Sequence, residues 1–204
     1  PGESAGLINA PKDWSGTTKP AMSFGQAYSV TAMQATSIFA TIANDGVRVE
    51  PTVIAGTSDA QGHYTPAKAR KSSRVVSAET AQKMRLMMES VVSANGTAPS
   101  AAIPGYRIAG KTGTAQRVVN GRYSGYTASF IGFAPADKPR YVISVTIQAP
   151  QGMHWGGVLG GPVFKEVMSY VLEAKHIPPS NTKVTPIPLN AAQLAATAPK
   201  ETKQ

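Results

Sequence analysis

The chain has 204 residues, 42% of them apolar, and a formal net charge of +9 with only 15% charged residues. That size and apolar content exclude global disorder and suit one domain or part of a larger one. The absence of cysteine excludes disulfides, thiolate catalysis and thiolate metal sites, and no run of 18 apolar residues exists that could span a membrane.

The basic balance admits two classes of partner, nucleic acid or an anionic surface such as a cell wall or membrane. No dense Lys/Arg run with interleaved aromatics, no zinc-ligand spacing and no ribonucleoprotein motif is present, which argues against nucleic acid. The longest basic cluster, Lys68 to Arg74, reads as a solvated loop.

Pro1 to Pro20 is rich in Gly, Pro, Ser and Thr and predicts an irregular surface connection with one large anchor, Trp14. The chain starts at Pro1 rather than at a methionine, and a start this loop-like predicts a piece of a longer chain. Thr31 followed by Gln34 is a capping box, and Val30, Met33, Ile38, Phe39, Ala40 and Ile42 predict a helix buried on most sides. Asn44-Asp45-Gly46 stops it with a C-terminal glycine. A short strand, Val47 to Ile54, is broken by Pro51, and Ala55 to Arg74 reads as a loop in which the lone His63 is solvated.

Ser77 caps a second helix, with Glu79 favourable to the dipole in its first turn. Ala81, Met84, Met87, Met88 and Val91 form its apolar stripe, and Asn95-Gly96 ends it. Three strands follow: Tyr106 to Val119, Thr127 to Phe133, and Tyr141 to Gln148. Asn120-Gly121 is a type I′ hairpin signal, with polar Arg122 to Gly125 lengthening the turn. After a glycine-rich loop, Gln151 to Gly157, Pro162 is expected in the first turn of a last helix. There Val163, Phe164, Val167, Met168, Val171 and Leu172 face the core, and the helix ends near Lys175. From Pro178 the composition predicts a flexible tail. The order of helices and antiparallel strands predicts a mixed α/β (α+β) domain with a helix-covered antiparallel sheet.

The chemistry concentrates in Ile108-Ala109-Gly110-Lys111-Thr112-Gly113-Thr114-Ala115-Gln116. On an exposed strand, an ammonium beside a hydroxyl binds a carboxylate. A glycine lets a substrate backbone lie close, and the next backbone N–H can point at a developing oxyanion. Lys-Thr-Gly is the third motif of penicillin-binding proteins and class A β-lactamases. Other strings agree: Phe24-Gly25-Gln26 with Val30-Thr31 and Gln34, Ala43-Asn44-Asp45-Gly46, Asn95-Gly96-Thr97-Ala98, Ala128 to Pro135, and Gly161-Pro162-Val163-Phe164. Together they resemble a class B penicillin-binding protein of the cell-division type, over about Pro1 to Ile177.

The resemblance implies the C-terminal part of a penicillin-binding/β-lactamase-like transpeptidase fold over residues 1–177, with 178–204 as the tail. It implies a peptidoglycan D,D-transpeptidase that works through an acyl-serine intermediate and is inhibited by β-lactams. The implied ligands are the peptidoglycan stem peptide and β-lactam antibiotics, with no metal and no cofactor. The implied location is the extracytoplasmic face of the cell membrane, with division-machinery proteins as partners. By the same resemblance Lys111 and Thr112 bind the substrate carboxylate, Gly113 permits close approach, and Thr114 N–H completes the oxyanion hole. Gln116 and Tyr126 line the pocket. Trp155 serves either as a pocket wall or as a packed anchor, and His154 has no evident partner.

The other two family motifs, Ser-x-x-Lys and Ser-x-Asn, are matched here in spacing only. Ser180-Asn181-Thr182-Lys183 has the first spacing but lies in the proline-rich tail, where nothing rigid holds the pair within reach. Ser93-Ala94-Asn95 has the second, but lies too close to Lys111. The nucleophile is therefore expected upstream of Pro1, on the remainder of the same protein. Two further readings stay open: a D-Ala carboxypeptidase or β-lactamase of the same fold, and a non-catalytic module that binds β-lactam or peptidoglycan.

Overall fold

The computed structural model describes residues 2–180. The N-terminal stretch is more ordered than its composition predicts. Strand β1 (Leu7–Ile8), helix α1 (Thr18–Ser23) and strand β2 (Tyr28–Ser29) come first, with β1 and β2 paired antiparallel. Trp14 is half-buried and donates its indole N–H to Asn9 O at 2.9 Å.

Helix α2 (Ala32–Ala43) begins on the expected capping box. Thr31 Oγ1 accepts from Gln34 N at 3.0 Å, and Gln34 Oε1 accepts from Thr31 N at 2.9 Å. Gly46, at φ +80°, carries the chain out of the helix. The expectation that α2 is buried on most sides does not hold. Thr41 is its one buried residue, and Ile38 is 53% exposed. Only Phe39, Ile42 and Ala43 reach the apolar cluster of Met88, Ala109, Phe133 and Ala136.

The expected loop from Ala55 to Arg74 contains strand structure, one local hairpin and one strand that pairs back to an earlier one. Strands β4 (Gly56–Ser58) and β5 (Tyr64–Pro66) form a hairpin, and β6 (Ser72–Arg74) returns to pair with β3 (Val47–Val49). His63, expected to be solvated, lies in that hairpin against Asp59 and is exposed. The backbone N–H of His63 is the main cause that holds the Asp59 carboxyl below its ordinary value. Helix α3 (Ala78–Ser90) is capped by Ser77, whose Oγ accepts from Thr80 N at 3.1 Å. Its predicted stripe is buried only in part: Ala81 and Met88 are in the core, while Met87 is 48% exposed.

The centre is the antiparallel sheet β7 (Ala109–Val119), β8 (Arg122–Ala134) and β9 (Tyr141–Gln148), in that order. The β7–β8 turn is tighter than expected. Val119 pairs with Arg122, so only Asn120 (φ +51°) and Gly121 (φ +75°) form the loop, and Arg122 to Gly125 belong to β8. The register then slips, so that Ser124 and Gly125 oppose Arg117 alone in a bulge.

Helix α4 (Gly156–Ala174) covers one face of the sheet. It starts six residues before Pro162, which is inside the helix and not in its first turn. Phe164, Met168 and Leu172 are buried with Phe130, Ile108 and Ala134, and Phe130 meets Phe164 edge-on with centroids 4.9 Å apart. Val163 and Val167, expected in the core, are over 40% exposed; on this helix the buried ridge is the i, i+4 series from Gly160 to Leu172. Its N-terminal glycines are set by contact with the sheet. A Cβ on Gly156 would collide with the carbonyls of Gly113 and Ser129, and one on Gly157 with Thr97 O.

Beyond α4 the chain folds back. Ser180, in the predicted tail, donates its N–H to Gly105 O at 2.9 Å, and its Oγ accepts from Arg107 N at 3.2 Å and donates to Asp137 Oδ1 at 3.0 Å. Lys183 and the rest of the predicted tail lie outside the described residues.

Candidate active site

Two-residue periodicity assigns the sheet's faces. Thr112 and Thr114 of β7 stand on the α4 face. Lys111, Gly113 and Ala115 stand on the opposite face, where α2 and α3 cover only the end near Ala109, Phe133 and Val142. The strand β7 is an edge of this sheet, so alternate backbone groups are open to an extended ligand.

Lys111 Nζ donates to Thr112 O at 3.0 Å and lies 3.4 Å from Thr112 Oγ1. The ammonium therefore folds along the edge rather than out into solvent, and that carbonyl faces the open side. Strand alternation carries Thr114 N–H to the same side. The Thr112 hydroxyl also lies 3.3 Å from Thr97 Oγ1, in the turn after α3. Thr114 Oγ1 accepts from Gly156 N, the first N–H of α4, at 3.2 Å. An ammonium, two hydroxyls and an outward N–H thus share one short stretch of edge. The helix N-terminus is tied directly to it and adds favourable potential for an anion.

Gly113 has a second reason to lack a side chain: a Cβ there would collide with Ser129 Oγ on β8. Gln116 is exposed and faces Tyr126 across the register. The Tyr126 ring stacks on His154 with centroids 4.1 Å apart and planes 10° apart, and His154 lies 5.0 Å from the Trp155 ring. Trp155 is 57% exposed, so it is not a core anchor. Tyr126, His154 and Trp155 form a continuous aromatic row at the end of the edge bearing Lys111.

The structure therefore gathers Lys111, Thr112, Gly113 and Thr114 on one edge and places Gln116, Tyr126 and Trp155 beyond it. It adds Thr97 and His154, which the sequence reading had not put there, and ties Gly156, in the loop that the resemblance sets beside the pocket, to Thr114. Asn95-Gly96-Thr97-Ala98 was a visible string, but its contact with Thr112 spans 15 residues and has no local signature. Ser93 donates to Ser90 O in the turn closing α3, and Ser180 is held by Gly105, Arg107 and Asp137; neither is bonded to these groups. Among the described residues no cluster of His, Asp and Glu could hold a metal ion.

One strong electrostatic contact lies behind the site. Arg107, four residues before Lys111, makes a two-pronged pair with Glu89 of α3: Nε to Oε2 at 2.9 Å and Nη2 to Oε1 at 2.6 Å. That hydrogen bonding raises the Arg107 pKa above its ordinary value.

An antiparallel sheet with a Lys-Thr-Gly edge, backed by a glycine-rich helix N-terminus, is the architecture of penicillin-binding protein transpeptidase domains. The family described as the penicillin binding protein transpeptidase domain matches residues 1–169, and the chain belongs to that family. It is 41% identical to the penicillin-binding protein PbpB of Mycolicibacterium smegmatis, over 94% of this chain and 31% of that protein. It is 38% identical to the probable peptidoglycan D,D-transpeptidase PenA of Neisseria flavescens, over 92% of this chain and 46% of that protein. Among solved structures it resembles penicillin-binding protein 3 of Mycobacterium tuberculosis complexed with ampicillin, with a TM-score of 0.84 and 39% identity, covering 94% of this chain and 45% of that one. The chain thus spans less than half the length of these relatives.

Proposed function

We propose that residues 1–177 are the C-terminal part of a serine-type peptidoglycan D,D-transpeptidase and supply one wall of its active site. The observation that carries this reading is the open β7 edge, where Lys111 Nζ, Thr112 Oγ1 and the outward Thr114 N–H lie side by side. In this proposal Lys111 and Thr112 hold the terminal carboxylate of a stem peptide, and Thr114 N–H faces the carbonyl before the terminal D-Ala. A serine from the sequence preceding Pro1 attacks that carbonyl. Its proton passes to a lysine one helical turn on, and the tetrahedral oxyanion is held by Thr114 N–H. Collapse releases D-Ala and leaves an acyl-serine, which an amine of a neighbouring stem takes, restoring the serine. The aromatic row of Tyr126, His154 and Trp155 flanks the acyl group.

One feature supports a further body of protein against this chain: Ile38, Leu7, Ile8 and Phe24 are all more than half exposed on the N-terminal elements. The family resemblance extends the proposal to septal wall synthesis at the outer face of the cell membrane, beside division proteins, with β-lactams as inhibitors.

The test is peptide mapping of the whole protein after exposure to penicillin. One adduct is expected, on a serine upstream of Pro1; an adduct on Ser93 or Ser180, or none in a folded sample, overturns the assignment. In the same assay Thr112→Ala is expected to slow acylation about 10- to 100-fold, the loss of one hydrogen bond to a charged group. Thr112→Ser is expected to retain most of the rate.

A further inference from the structure

Beyond the Lys-Thr-Gly edge, β7 carries a second cation, Arg117. It is half-buried, and no carboxylate pairs with it among the described residues. From Ala109 to Ala136 the chain carries Lys111, Arg117 and Arg122 but no Asp or Glu. With no carboxylate of the described residues paired to it, this guanidinium is available to an anion that a ligand supplies. Alternation puts Arg117 on the same face of β7 as Lys111. It sits opposite the β8 bulge of Ser124 and Gly125, between the regular pairs Gln116–Tyr126 and Val118–Tyr123.

Direction along the strand fixes what passes Arg117. With the ligand's terminal carboxylate at Lys111 and Thr112 and its reacting carbonyl at Thr114, the ligand runs antiparallel to β7. Its earlier residues then pass Gln116 and Arg117. Three residues separate Thr114 from Arg117, about 10 Å of strand. A side chain from the residue before the D-Ala pair spans that interval.

Resting on the transpeptidase reading above, we infer that Arg117 is a specificity-determining residue that binds a second carboxylate, carried by the stem peptide just before its terminal D-Ala pair. The guanidinium fork matches a carboxylate in two-pronged fashion and has no such match with a carboxamide, which presents one acceptor and a competing donor. The site would therefore favour peptides in which that carboxyl is free over those in which it is amidated.

The test uses the whole protein and two synthetic peptides ending in D-Ala-D-Ala, identical except that the side-chain carboxyl of the preceding residue is free or amidated. Each peptide's ability to slow acylation by a fluorescent penicillin gives an inhibition constant, and the ratio of the two constants is the readout. A general change in folding or reactivity cancels in that ratio. The wild-type protein is expected to favour the free carboxylate about tenfold or more, the scale of one charge-assisted hydrogen bond. Arg117→Gln is expected to bring the ratio close to one, and Arg117→Lys to recover part of it. Arg122→Gln, which removes an equal charge at the hairpin tip, is expected to leave the ratio in place.

A wild-type ratio near one, protection by neither peptide, or a ratio unchanged in Arg117→Gln overturns the inference while the transpeptidase reading stands. An equal fall in Arg122→Gln also overturns it, in favour of a diffuse field. Failure of the wild-type protein to be acylated overturns the transpeptidase reading itself, and this inference with it.

Discussion

Gly156→Ala in the whole protein is expected to lower the rate of acylation by penicillin about 100-fold, with only a modest loss of stability. A Cβ at this position would collide with two backbone carbonyls, Gly113 O on β7 and Ser129 O on β8. Neither belongs to a side chain that could rotate away, so the start of α4 has to lift from the sheet or β7 has to bend. Either movement breaks the bond from Gly156 N to Thr114 Oγ1, which holds the β7 edge to the helix. Overpacking of this kind costs about 1–3 kcal/mol of stability. The larger loss is positional, since about 1 Å of misplacement can cost 100-fold in rate. Gly160→Ala is the comparison. Its Cβ would meet Phe130 Cβ at 2.9 Å, one turn further along α4 and away from Thr114. That variant is expected to lower the melting temperature comparably while retaining much more of the acylation rate. If Gly156→Ala acylates as fast as the wild-type protein, the close approach of α4 does not set the geometry of the edge.

Those glycines also show what the sequence could and could not reveal. Gly156-Gly157 reads as loop because glycine is costly inside a helix, by about 1 kcal/mol relative to alanine. Only the sheet pressed against them explains why the helix begins there. Features closed within a few residues were legible: the Thr31–Gln34 box, the Ser77 cap, the Asn120-Gly121 turn and the alternation of β9. The fold class followed from the order of such elements and from the strings shared with one family. What escaped depends on partners distant in sequence. The β3–β6 pairing links Val47 to Arg74, the Tyr126–His154 stack spans 28 positions, and the Arg107–Glu89 pair joins a helix to the segment before β7. The burial of α2 was overestimated for the converse reason: its pattern marks which face is apolar, not what lies against that face. Within the candidate site, Lys111, Thr112 and Gly113 are consecutive and can be read as one string, whereas Thr97 and His154 come beside it only through contacts distant in sequence.

The largest effect on stability is expected from Glu89→Ala, about 3–5 kcal/mol, measured as a shift in the denaturant unfolding of the transpeptidase domain in the whole protein. The Glu89 side chain is 2% exposed and that of Arg107 14%. Removing the carboxylate takes both oxygens from the guanidinium and leaves it, largely withdrawn from water, with the weaker attraction of Asp137. The penalty comes mainly from the loss of that charge's main partner and not from the net strength of the pair, because two charges taken out of water regain little more than their desolvation cost. The distinction is testable. If it holds, the double variant Glu89→Ala with Arg107→Met should be more stable than Glu89→Ala alone, although it has lost more of the original contact. If the pair contributes mainly by attraction, the double variant should be no better. Position makes the outcome relevant to the site. Arg107 fixes the segment that leads into Lys111, its backbone N–H is bound by Ser180, and Glu89 anchors it to α3, whose following turn carries Thr97. A shift here moves the proposed carboxylate cradle of Lys111 and Thr112 from both sides, so acylation in Glu89→Ala is expected to fall even at temperatures where the domain remains folded, and the double variant is expected to regain stability more fully than rate.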